Sequence, residues 1–76
     1  IRFRRMKKRW GSCSENKAII LNTELVKAPI LCIDYVIVHE LCHLLYPNHD
    51  SKFFRLLKRV MPYWEKRKER LEKVII

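Results

Sequence analysis

The sequence predicts an α+β fold: a short antiparallel β-ribbon, then one long apolar helix, then two helices that cover it. In the basic N-terminal stretch, Ile1, Phe3, Met6 and Trp10 interrupt the cations as a strand would require. Ile33–Tyr46, I-D-Y-V-I-V-H-E-L-C-H-L-L-Y, is apolar at nearly every azimuth, and a helix of that kind is a buried one. After Pro47, apolar residues return at helical spacing.

Residues 2–13 read as an extended segment that turns at Gly11-Ser12, around the only glycine in the chain. Ser14–Lys17 reads as a turn and Ala18–Asn22 as a short strand, which completes a hairpin. Leu25–Ala28 is expected to form a helical turn ahead of Pro29, a residue suited to a first helical position. The long helix then runs from Ile30 to Leu45. Tyr46-Pro47-Asn48 ends it, because proline disfavours helical geometry in the residue before it. Asp50 or Ser51 can cap the next helix, in which Phe53, Leu56, Leu57 and Val60 recur until Pro62. A last helix begins near Tyr63 and takes in Trp64, Leu71 and Val74-Ile75. Its Glu65, Glu69 and Glu72 stand among the basic residues from Lys58 to Lys73, a pattern that favours surface ion pairs.

With 76 residues, the chain holds at most one domain and buries little more than ~60% of its unfolded surface. The net charge is +9, and Arg2, Arg4, Arg5, Lys7, Lys8 and Arg9 all precede the first acid, Glu15. Such a run suits phosphate or nucleic acid; it equally suits an edge strand whose charge discourages aggregation, which is the preferred reading. No segment reaches the ~20 apolar residues that span a bilayer, and no signal peptide opens the chain. Cys13, Cys32 and Cys42 are odd in number and lack a C-x-x-C pair. That speaks against a disulfide framework and for a reducing, cytoplasmic compartment. Cys42 reads as a small buried hydrophobe, and Cys13 is the one cysteine suspected of a role.

The chemistry lies in His39-Glu40-Leu41-Cys42-His43. Four residues of helix put His39 and His43 on one face, a turn apart. Two imidazoles so placed can hold one Zn²⁺ at about 2.0–2.1 Å from each nitrogen. Glu40, about 100° around the helix, can then act as general base on a water whose pKa the metal lowers. The bland alternative is a pair of core histidines satisfied by hydrogen bonds, but a carboxylate in the same apolar setting also has to be compensated. His49 follows His43 by six residues, on a turn able to fold back. Three protein ligands and an open position are the catalytic arrangement of zinc; the spacing alone leaves a surface-loop histidine equally open.

Arg9-Trp10-Gly11-Ser12-Cys13, Asp34-Tyr35-Val36 leading into the histidine run, and Pro47-Asn48-His49 with Phe53 together resemble the YgjP-like metallopeptidase family. These are small zincin-type domains, related in motif to the SprT-like and WLM families. The likeness covers Arg5 to Phe54 and continues more weakly beyond. It implies that His39, His43 and His49 ligate zinc and that Glu40 is the catalytic base. It also implies additional N-terminal β-structure, so residues 1–76 are expected to be a single YgjP-like domain forming the C-terminal catalytic part of a longer chain.

The predicted order of elements matches a minimal zincin-like domain. In zincins an edge strand beside the active-site helix binds extended polypeptide by strand addition, and Ala18–Asn22 is the candidate here. The expected function is zinc-dependent peptide hydrolysis. A second reading places the same metal and water on a nucleotide or phosphoanhydride, with Arg2–Arg9 holding the phosphates. A third is a non-catalytic nucleic-acid-binding adaptor, against which the presence of Glu40 speaks. Tyr46, Tyr63, Arg9 and Ser12 could each stabilise an oxyanion, and no spacing rule selects among them. Three imidazoles also accept Co²⁺, Ni²⁺ or Mn²⁺. Asp34, near the start of the long helix, is expected to support it through the helix dipole with Arg9 as partner.

Overall fold

In the computed structural model, which describes residues 1–74, the order is β1 (Arg2–Arg4), β2 (Gly11–Cys13), β3 (Ile19–Asn22), α1 (Ile30–Leu45), α2 (Ser51–Val60) and α3 (Trp64–Glu72). A short 3-10 helix, Thr23–Lys27, links β3 to α1. The fold is α+β, as the patterning predicts.

The sheet differs from a simple antiparallel ribbon. Its order is β1-β3-β2, with β2 antiparallel and β1 parallel to β3. Asn22 ties this arrangement together. Asn22 is fully buried at the end of β3, and its amide donates to the carbonyls of Met6 at 2.8 Å and Arg9 at 2.7 Å. Residues 5–10 therefore wrap around the end of β3, and the chain that left along one edge returns along the other. Gly11 thus opens β2 rather than making a turn. A second consequence corrects the proposed binding edge: Ala18–Asn22 contains the central strand, whose two sides are already paired.

Ile19 and Leu21 point from β3 into a core shared with Leu25, Cys32, Tyr35, Val36, Cys42, Phe53, Leu57, Met61 and Leu71. Pro29 precedes α1, and its carbonyl accepts from the Cys32 and Ile33 amides. On α2, Asp50 is the cap: its carboxylate accepts from the Phe53 amide at 3.0 Å. Phe53 and Leu57 are fully buried, whereas Val60 is 57% exposed, so α2 buries a narrower stripe than its apolar residues suggest. The C-terminal helix stops at Glu72, short of Val74; Ile75 lies outside the described residues.

Two further expectations are corrected. α1 is not buried on every side: Ile30, Leu41 and Leu45 are exposed, because β2, β3, α2 and α3 do not enclose its full circumference. Among the described residues, the salt bridges are those of Arg5 and Lys27 with Glu24, so Glu65, Glu69 and Glu72 form none. Asp34 is likewise exposed and without an ion pair, and Arg9 faces elsewhere.

Candidate metal centre

α1 carries His39 and His43 on the face turned toward α2, and the Tyr46–Asp50 turn folds His49 back over them. The Nε2 of His49 stands 3.1 Å from that of His39 and 2.9 Å from that of His43. The structure thus brings together all three histidines named from the sequence. Phe53 holds the cluster from beneath. Its ring centre lies 5.0 Å from His39, 4.5 Å from His43 and 4.9 Å from His49.

The outward nitrogens decide how the rings are used. His43 Nδ1 lies 3.2 Å from the Tyr46 carbonyl. A carbonyl only accepts, so Nδ1 carries the proton and the lone pair of the neutral ring is on Nε2. His39 Nδ1 lies 3.4 Å from the Tyr35 hydroxyl, which can accept from it in the same way. Burial, with smaller contributions from His43 and His49, lowers His39 from the ordinary 6.5 to about 4. His49 is lowered too, by burial first. Imidazole nitrogens this close repel unless they share a proton or a cation.

That donor set fits a divalent metal ion. A tetrahedral Zn²⁺ with bonds of about 2.0–2.1 Å sets its ligand nitrogens about 3.3–3.4 Å apart, so His49 needs to draw back from the other two rings by only a few tenths of an ångström. The outer hydrogen bonds from Nδ1 to a carbonyl and a hydroxyl are the supports that ligating histidines use.

Glu40 is only 6% exposed, and its carboxylate borders the cavity that holds the histidines. Burial pushes its pKa above the ordinary carboxylate value, while His43 and Arg9 pull the other way. The cavity measures about 740 Å³ and is lined also by Arg9, Gly11, Ser12, Cys13, Lys17 and Pro47. Of the oxyanion candidates, Arg9 and Ser12 line it; Tyr46 and Tyr63 do not. Cys13 faces the same space, its thiol pKa raised by burial and then by Glu40. Cys42 is buried in the core.

Sequence reasoning assigned Tyr35 no role, although it precedes His39 by one helical turn and so shares its face. It also overlooked Asn22, whose knot places β2 beside α1, because a single polar residue ending a strand carries no distinctive signal. The family model for the YgjP-like metallopeptidase domain matches residues 1–74, a longer stretch than the motifs alone cover. No curated protein and no solved structure gives a significant match. With three imidazoles converging beside a buried carboxylate and the match running through the described fold, the chain belongs to the YgjP-like metallopeptidase family.

Proposed function

We propose that this domain is a zinc-dependent hydrolase of peptide bonds, in a minimal zincin-like arrangement. His39, His43 and His49 would hold the ion, and Glu40 is the general base. The observation that carries this reading is the convergence of three Nε2 atoms in a cavity that a buried carboxylate also borders. When bound, a divalent cation supplies the Lewis acidity that brings water toward a neutral pKa and polarises a carbonyl.

Glu40 takes a proton from the attacking water at its carboxylate and later delivers it to the departing amine. Its raised pKa suits it to hold the proton between the two transfers. Phe53, Tyr35 and the Tyr46 carbonyl keep the imidazoles in place. Arg9 and Ser12 are the side chains in the cavity able to meet an oxyanion.

Polypeptide binds by strand addition at β2 in place of Ala18–Asn22. β2 is an edge of the sheet, and Gly11, Ser12 and Cys13 line the histidine cavity. An extended chain paired there has its scissile carbonyl beside the histidines. The three cysteines are free thiols, and no helix among the described residues is long and apolar enough to cross a membrane. The free thiols support a cytoplasmic setting.

One observation favours a second reading. Arg9 and Lys17 line the cavity with Glu40, where they could hold the phosphates of a nucleotide during phosphoanhydride hydrolysis. The deciding experiment offers the zinc-loaded domain an unfolded protein and a nucleoside triphosphate in parallel, with and without chelator. Chelator-sensitive cleavage of the protein alone supports the peptidase. Triphosphate hydrolysis alone moves the assignment to the second reading, and activity insensitive to chelator contradicts both.

A further inference from the structure

We propose that Gly11 is a positioning residue for Glu40, its missing side chain keeping the carboxylate turned toward the three histidines. This rests on Glu40 being the general base. No glycine in the described residues has a positive φ, so backbone conformation does not call for glycine here. Space does. A Cβ on Gly11 would stand 3.0 Å from Val36 Cγ1, 3.2 Å from Glu40 Cγ and 3.2 Å from Glu40 Oε2.

Of the groups that would be crowded, Glu40 has the most freedom to yield. β2 is held by its ladder to β3, with Gly11 opposite Leu21. Val36 is 3% exposed in the core and, being β-branched, is stiff at χ1. The Glu40 side chain has open space on both sides. Besides the main cavity, a second one of about 350 Å³ opens between Trp10, Tyr35 and Leu71, and the two share Arg9, Gly11, His39 and Glu40 in their walls. A methyl group on Gly11 would press on the carboxylate and displace it from its present position by a few tenths of an ångström. The bare α-carbon leaves the carboxylate the space it now occupies.

The test compares wild type, Gly11→Ala, Val36→Ala, the Gly11→Ala/Val36→Ala double variant and Glu40→Gln, all zinc-loaded. For each, metal content, melting temperature, the crystal structure and turnover of casein are measured. Gly11→Ala should keep its metal, since the histidines are untouched, while its carboxylate moves by a few tenths of an ångström and kcat falls by roughly 10-fold with little change in KM. Val36→Ala removes the closest clash, so Gly11→Ala should cost less melting temperature in the Val36→Ala background than in wild type while costing the same in kcat, because the contact with Glu40 persists. An unmoved carboxylate in the Gly11→Ala crystal overturns the proposal. So does a Gly11→Ala effect on kcat that disappears in the Val36→Ala background, which would mean that Gly11 serves strand packing alone. Full casein turnover in Glu40→Gln would instead defeat the peptidase mechanism; the position of Glu40 in the Gly11→Ala crystal is read independently of the substrate.

Discussion

Glu40 illustrates how a reactive site costs stability. In the metal-free domain a buried carboxylate with a raised pKa resists ionisation, so Glu40→Gln should melt at a higher temperature than wild type at pH 7 when both are metal-free. The same variant should retain zinc and lose about 10²–10⁴-fold in turnover, as expected for a general acid–base residue; zinc analysis beside a rate assay checks both. Tyr35→Phe removes the acceptor for His39 Nδ1, and by analogy with other outer supports should weaken zinc about 10–100-fold, read by competition with a calibrated chelator. The lowered pKa of His39 also sets a pH dependence. A depressed imidazole binds its proton more readily when unfolded, so the metal-free domain should lose stability as pH falls from 6.5 toward about 4. A urea midpoint unchanged across that window would contradict the burial of His39.

The long helix shows what patterning resolves and what it leaves open. Its limits, Ile30 to Leu45, follow from an apolar run closed by Pro47, and the i, i+4 histidines are legible because helical geometry is local. His49 is different: spacing leaves it ambiguous, and only the observed turn places its Nε2 against the other two. The exposed stripe of Ile30, Leu41 and Leu45 was not legible, since composition shows that a helix could be buried and not what packs against it. The parallel pairing of β1 escaped for the same reason, since the buried Asn22 that anchors the connecting segment lies far along the chain. Asn22→Ala would leave the Met6 and Arg9 carbonyls and the Glu24 amide without this partner. At about 1–3 kcal/mol for a buried unsatisfied group, it should unfold at clearly lower urea than wild type. Asp50→Ala, which removes the α2 cap, should cost about 0.5–2 kcal/mol.

The core formed by these 76 residues is small, so a ligand that binds only the folded state should shift its stability measurably. At a free zinc concentration 100 times Kd, linkage adds about 2.7 kcal/mol, and each kcal/mol is worth about 4–8 °C for a domain of this size. Chelation should therefore lower the melting temperature by about 10–20 °C, and the three-histidine centre should be the cause. The measurement that tests this account most directly is an anomalous difference map at the zinc edge from crystals of the zinc-loaded domain. The account predicts one peak per chain, bonded to the Nε2 atoms of His39, His43 and His49 at about 2.0–2.1 Å, with Glu40 near it but unbonded. A peak elsewhere, or one ligated by Glu40 in place of His49, would contradict it.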